Sequence, residues 1–310
     1  MNYYFAPMEG LTDSIYRSLH HRYFPGIDCY YMPFYTPSIH KALTKKEQRE
    51  LPPAGEVPAI PQLLTRNAED FLWAAQLCRD LGYTQVDLNL GCPSGTVVSK
   101  GRGAGMLADP EALDNFLREI FSRTPIAVSV KTRLGLEQAS EFPALMEIYN
   151  QYPIRLLTVH PRLRSDFYKH PVRMEGFTYA LSHSRNPLCY NGNLNSLQDI
   201  RKFSEAFPEI DSVMLGRGLI GDPGMLRGTT PDTLELFSEE LLDAYTEAFG
   251  SARNAMFRLK ENWRYLLLHF EGSEKLGKRL KKTTDVQEFR QITHEIFSTL
   301  PFRESLEPDW

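Results

Sequence analysis

Pro187-Leu188-Cys189-Tyr190-Asn191-Gly192-Asn193, a helical period over residues 197–207, and then Ser212-Val213-Met214-Leu215-Gly216-Arg217-Gly218 are the stretch that decides the fold. Each end is a short apolar run that stops on a glycine-bearing turn, so the whole reads as one strand–helix–strand unit. Glycines at such turns let backbone N–H groups approach a phosphate, and the guanidinium of Arg217 adds a planar fork that matches phosphate oxygens. A β/α barrel holds phosphate in the loops after its seventh and eighth strands, which is where these two turns fall when strands are counted along the chain.

Further apolar or β-branched runs at 3–7, 28–33, 59–64, 85–90, 126–131 and 155–160 bring the expected strands to eight. Helices are expected between them at 68–81, 110–122 and 141–149, the second opened by Asp109-Pro110-Glu111 as cap and first turn. An open doubly wound sheet would show fewer strands and a GxGxxG turn after the first, and no GxGxxG occurs. The expected fold is α/β, a (β/α)8 TIM barrel over residues 1–231. Strand signals then stop, and Met256, Leu259, Trp263, Leu266, Leu267 and Phe270 follow helical spacing. Residues 232–310 are expected to form a small all-helical C-terminal domain.

The composition is that of an ordinary folded globular chain, with 42% hydrophobic and 24% charged residues, which excludes disordered and collagen-like classes. A formal net charge of -4 excludes a protein that coats nucleic acid by overall charge, so any such binding must be local. The first residues lack a basic segment followed by an apolar one, and no apolar run is long enough to span a bilayer. A cytoplasmic monomer without membrane association is expected. Cys29, Cys78, Cys92 and Cys189 lie far apart with no CxxC, so neither a disulfide framework nor a metal site is expected.

The chemistry-bearing residues fall at strand ends, where barrel enzymes keep their active residues. Strand four runs through Asn89 and Gly91 into Cys92, followed by the glycine loop Gly101-Arg102-Gly103-Ala104-Gly105, a setting for a reactive thiol rather than a packed one. Strand five ends in Lys131-Thr132-Arg133 and strand six in His160-Pro161-Arg162. An ammonium there can neutralise an anion formed on a cofactor or substrate. Pro7, Met8 and Glu9 after strand one can border a flat ring, and the amide of Gln62 can donate and accept along its polar edge. A flat heteroaromatic group with a phosphate tail, such as flavin mononucleotide (FMN), suits the assembled mouth.

Asn89-Leu90-Gly91-Cys92-Pro93, Ala6-Pro7-Met8-Glu9-Gly10, Gln62, Lys131-Thr132-Arg133, Val159-His160, Asn191-Gly192-Asn193 and Gly216-Arg217-Gly218 stand in the order in which the tRNA-dihydrouridine synthase family carries such motifs. On these residues the chain resembles that family, flavoenzymes that reduce uridine in tRNA. The resemblance implies Cys92 as the general acid at uracil carbon 5 while reduced FMN gives hydride to carbon 6, with NADPH as the electron donor. It implies that Pro7, Met8, Glu9, Gln62, Lys131 and His160 contact the flavin ring, and that Asn191, Gly192, Asn193, Gly216 and Arg217 enclose its ribityl phosphate. Asn89 would hold the flipped uracil, with Arg133, Arg162, Arg258, Lys260, Lys278 and Arg279 toward the RNA. Where the family carries His-Gly-Arg-Thr-Arg this chain has His160-Pro161-Arg162-Leu163-Arg164, and Asn193 replaces an acidic residue.

Between Arg258 and Lys282 eight bases face three acids, a local excess of five positive charges that suits a phosphate backbone. Two other readings use the same residues. A small-molecule FMN reductase of dihydropyrimidine or dihydroorotate type would share the phosphate loops but not need a basic helical tail. A catalytically idle RNA-binding relative would have no need to keep Cys92, Lys131, His160 and Arg217 together.

Overall fold

The computed structural model describes residues 1–37, 41–306 and 308; residues 307, 309 and 310 of the expected C-terminal module lie outside it. Among the described residues nine parallel strands form one sheet. They are β1 (Asn2–Phe5), β2 (Cys29–Tyr31), β3 (Ala59–Ile60), β4 (Gln62–Leu63), β5 (Gln85–Leu90), β6 (Ala127–Gly135), β7 (Leu157–Leu163), β8 (Leu188–Asn191) and β9 (Ser212–Leu215). The strand order is β3-β2-β1-β9-β8-β7-β6-β5-β4. The single strand expected at 59–64 is two pieces because Pro61, which has no N–H to donate, interrupts the ladder. β3 pairs with β2 and β4 with β5, so the two pieces bring the sheet nearly back on itself as a barrel.

Between the strands run α1 (Ser14–Tyr23), α2 (Lys45–Glu50), α3 (Ala68–Asp80), α4 (Gly95–Val98), α5 (Pro110–Arg123), α6 (Phe142–Tyr149), α7 (Met174–His183) and α8 (Leu197–Ala206). The capping residues define these starts: Asp109 accepts from the Ala112 N–H with Pro110 in the first turn of α5, and Ser196 accepts from the Asp199 N–H at α8. After β9 come α9 (Arg217–Gly221), α10 (Pro231–Phe249), α11 (Ala252–Leu266), α12 (Glu274–Lys282) and α13 (Val286–Thr299). The fold is the expected TIM-type barrel with a helical C-terminal region.

Period-two alternation along each strand sorts the side chains into two layers. Val86, Leu88 and Leu90 of β5, Val128 and Val130 of β6, and Val213 and Leu215 of β9 join the large apolar core beneath the helices. The intervening residues face the lumen, where a small apolar cluster of Ala6, Tyr31, Leu156, Cys189 and Met214 fills the barrel. Above it the lumen-facing positions turn polar, with Asn89, Lys131, His160 and Asn191 on four successive strands. The large core continues into the helical region through Phe237, Leu241 and Trp263, and Phe237 meets Tyr16 of α1 edge-on at 5.5 Å.

Candidate active site

A cavity of about 420 Å³ opens at the C-terminal ends of the strands, lined among others by Met8, Gln62, Asn89, Cys92, Lys131 and His160. A narrower cleft of about 80 Å³ continues from it through Met8, Lys131 and His160 to Arg162, Asn193, Gly216 and Arg217. Among the described residues its lining holds Lys131, Arg162 and Arg217 and no Asp or Glu, a positively charged set suited to an anion. Two glycine-bearing turns meet there. A Cβ on Gly218 would lie 2.9 Å from both the Leu194 carbonyl oxygen and Asn195 Cα, so only glycine lets the turn after β9 touch the turn after β8.

At this end Asn193 sits in the left-handed region with φ 45°, and its Oδ1 accepts from Nη2 of Arg162 at 2.9 Å and Nη2 of Arg217 at 3.2 Å. The Asn amide tolerates that backbone and gathers both guanidinia, a task that an acidic residue would do at the cost of the cleft's charge. Arg162, 2% exposed, also donates from Nε to the His170 carbonyl at 2.7 Å, and its Nη1 lies 2.8 Å from His160 Nε2. A guanidinium only donates, so Nε2 accepts and the His160 proton sits on Nδ1. Burial, then Arg133, Lys131, Arg162 and Arg217, hold the imidazole well below its ordinary pKa, so it is neutral.

Midway along, Lys131 Nζ donates to Asn191 Oδ1 at 2.7 Å, and Asn191 Nδ2 donates to the Met214 carbonyl at 2.8 Å. Burial and the neighbouring Arg133 draw the Lys131 pKa down to about 8, so the ammonium persists at neutral pH but gives up its proton readily. On the far wall the Cys92 thiol is half-buried, and burial raises its pKa despite Arg133 and Lys131 nearby. It is a protonated thiol at neutral pH, competent as an acid.

The Cys92 turn is held by two neighbours. Asn89 Oδ1 accepts from the N–H groups of Gly91 at 3.0 Å and Cys92 at 2.9 Å, while Asn89 Nδ2 donates to Gln62 Oε1 at 2.7 Å. Arg133, 1% exposed, donates to the carbonyls of Gly91, Leu163 and Phe167 at 2.8–2.9 Å, tying that turn to the loop after β7. Gly103, with φ +57°, packs where a Cβ would be 3.0 Å from the Cys92 carbonyl oxygen.

The structure therefore brings Pro7, Met8, Glu9, Gln62, Asn89, Cys92, Lys131, Arg133, His160, Arg162, Asn191, Gly192, Asn193, Gly216 and Arg217 to one mouth. Arg162 stands at the anion end. The remaining bases lie apart from both cavities. Arg258 pairs with Asp13 Oδ2 at 2.5 Å, and Tyr245 donates to the same carboxylate at 2.9 Å. Lys260 donates to the carbonyls of Lys281 and Thr283. Lys278 and Arg279 are exposed on α12, whose Leu276 and Leu280 face inward, and Arg279 reaches Glu295 at 3.2 Å.

Residues beyond the expected set also line the mouth. Tyr168, 53% exposed, borders both cavities with the Arg133 and Arg217 guanidinia 5.3 and 5.7 Å from its ring centre. Its signal was the adjacent aromatic pair Phe167-Tyr168 in a polar loop after a strand. Tyr265 of α11 reaches the larger cavity from the helical region, and nothing in its amphipathic segment set it apart.

Comparisons with known proteins give the family and the fold. A family model described as dihydrouridine synthase (Dus) matches residues 4–306. The chain is 32% identical to the tRNA-dihydrouridine(16) synthase of Aquipseudomonas alcaligenes over 72% of this chain and 73% of that protein. It is 27% identical to the tRNA-dihydrouridine(16) synthase of Neisseria meningitidis serogroup B over 94% of this chain and 93% of that one. Among solved structures, a morphinone reductase variant in complex with tetrahydroNAD shares the fold at a TM-score of 0.50 and 10% identity, covering 72% of this chain and 85% of that chain. With a family match across nearly all of its length and motifs gathered at one barrel mouth, this chain belongs to the dihydrouridine synthase family.

Proposed function

We propose that the chain reduces the carbon 5–carbon 6 double bond of a uridine in tRNA, using bound FMN and a nicotinamide dinucleotide, NADPH, as reductant. The observation that carries this reading is the continuous path from Cys92, past Met8, Gln62, Lys131 and His160, to the cleft of Arg162, Asn193 and Arg217, which holds no carboxylate among the described residues. Its donor set fits a flavin with a phosphate tail. Two guanidinia and the glycine turns suit the phosphate, and Lys131 and the Nδ1–H of His160 suit the polar edge of the ring.

Reduced flavin supplies hydride when bound. The protein's part is alignment and proton delivery. Carbon 6 of uracil is the electrophilic end of an enone, and the electron pair that develops toward carbon 5 takes the proton of the Cys92 thiol. The S–H bond breaks as the C–H bond forms, and solvent reprotonates the thiolate. Lys131, with its positive charge in a buried site, would balance negative charge on a bound flavin. A base within tRNA reaches such a depth only when flipped out of its stack. Residues 232–310 would carry the RNA contacts as a separate domain, with Lys278, Arg279 and the neighbouring lysines of α12 as the phosphate footprint.

Nucleoside mass spectrometry on tRNA from a host stripped of its own dihydrouridine, complemented with this chain, tests the reading. Dihydrouridine is expected, with fragment mapping directed first at position 16, the position in the names of two relatives. Its absence, with a flavin-loaded protein in hand, would overturn tRNA as substrate.

A further inference from the structure

Asp87 is fully buried in the barrel lumen, on β5 two residues before Asn89 and therefore on the same face. Strand register sets it between Gln62 of β4 and Ser129 of β6. Gln62 Nε2 donates to Asp87 Oδ2 at 2.7 Å, and Ser129 Oγ donates to Asp87 Oδ1 at 2.6 Å. With Gln62 Nε2 turned to the carboxylate, its Oε1 faces Asn89 Nδ2, and Asn89 Oδ1 faces the backbone N–H groups of Gly91 and Cys92.

Every donor in this relay points toward Asp87. The Gly91 and Cys92 N–H groups can only donate and an ionised carboxylate can only accept, so the two ends of the relay demand the same orientation of the Gln62 and Asn89 amides. We propose that Asp87 is a positioning residue for Cys92: by accepting from Gln62 it anchors the buried end of the relay, holds the Gln62 and Asn89 amides against the Cys92 turn and so keeps the thiol in place. Asp87 lies below the cavity and does not line it. The inference takes its catalytic meaning from the reading of Cys92 as the acid, but the geometry it asserts is open to test without RNA or reductant.

The test is the rate of Cys92 alkylation by iodoacetamide in the purified full-length protein carrying its flavin, followed peptide by peptide with mass spectrometry. Cys78 and Cys189, both buried, report global opening in the same sample. Asp87→Leu is expected to speed alkylation of Cys92 by about fivefold, the factor that the net worth of one hydrogen bond corresponds to, with Cys78 and Cys189 unchanged. Asp87→Asn is expected to restore the wild-type rate, because its Oδ1 accepts from Gln62 while its Nδ2 donates to the Ser129 hydroxyl, which can accept. Gln62→Leu breaks the same relay one link later, so it is expected to match Asp87→Leu, and the double variant to add nothing to either. Should Asp87→Leu not fold, Asp87→Ala, which removes the acceptor without adding bulk, takes its place, and an unchanged Cys92 rate in it would overturn the proposal. An unchanged Cys92 rate in Gln62→Leu, additive effects in the double variant, or equal acceleration of all three cysteines would overturn the proposal. A failure to modify tRNA with these alkylation results intact would count against the proposed substrate alone.

Discussion

Nη1 of Arg162 stands 2.8 Å from Nε2 of His160, and that contact fixes the protonation of the imidazole. Because the guanidinium has no lone pair to offer, Nε2 must be the acceptor, and the proton is left on Nδ1. The sequence places these two residues two positions apart on β7, on one face of the strand. The pair links the Lys131 side of the mouth to the Arg217 side.

Nitrogen NMR on labelled histidine checks this directly. His160 is expected to stay a neutral Nδ1–H imidazole as the pH is lowered through the ordinary histidine pKa of ~6.5. A titration midpoint near that ordinary value would contradict it.

The same burial has a cost in stability. His160 is held well below its ordinary pKa and His20, also buried, is lowered to about 3, so unfolding at acid pH lets both take up protons. Asp87 works in the opposite sense. Its pKa is raised by burial to about 6, so between about pH 4 and pH 6 it holds a proton that the unfolded chain releases. Each buried histidine makes stability fall as pH drops below ~6.5, by about 1.4 kcal/mol per pH unit, while Asp87 and Asp222, whose pKa burial also raises, oppose that fall. Urea unfolding at pH 7 and pH 5 is expected to show a larger loss of stability at the lower pH in Asp87→Asn than in wild type, because the variant lacks one opposing proton, and equal losses in the two proteins would refute it.

At the anion end, Arg217→Ala and Arg162→Ala are each expected to weaken FMN binding tenfold or more, since a charge-assisted hydrogen bond is worth ~1.5–3 kcal/mol. Titration of the apoprotein with FMN, followed by flavin fluorescence, measures this. Cys92→Ala, remote from that end, is expected to bind FMN as wild type does. A colourless Cys92 variant would break the assigned division of labour.

Gly103→Ala bears on the Cys92 turn from the other side. A side chain there meets both a left-handed backbone, φ +57°, and the Cys92 Cβ and carbonyl oxygen at 3.0 Å. A loss of about 1–3 kcal/mol in stability is expected, because a non-glycine residue in a conformation it resists costs about that much. Thermal unfolding of the variant beside wild type decides, and an unchanged midpoint would show that the turn can give way.

On α12, reversing charge at Lys278 and Arg279 should weaken tRNA binding and flatten its dependence on salt, by about one slope unit for each phosphate that the variant no longer neutralises. Filter binding over a range of salt concentrations gives both numbers. An unchanged slope would remove α12 from the RNA footprint.

Much of this site was legible in the sequence because its residues sit at strand ends, where period and turn chemistry reveal position. Cys92, Lys131, His160 and Arg217 each follow an apolar run, and all line the mouth. What a linear reading misses is how side chains spend their donors. Arg133 and Arg162 read as bases free to meet RNA, yet in the fold each is buried and engaged by backbone carbonyls or neighbouring polar groups. Arg258 reads as part of a basic tail, but long-range packing gives it Asp13, 245 positions away. Asp87 reads as a polar break in an apolar strand, and only barrel register shows the partners on either side of it.

Proton donation by Cys92 is tested most directly by anaerobic stopped-flow oxidation of the reduced, flavin-loaded protein by unmodified tRNA transcript, wild type against Cys92→Ala. Rapid flavin oxidation is expected in wild type and a rate about 10²–10⁴-fold lower in the variant, the usual worth of a general acid, with tRNA affinity retained. Equal rates in the two proteins would contradict Cys92 as the proton donor.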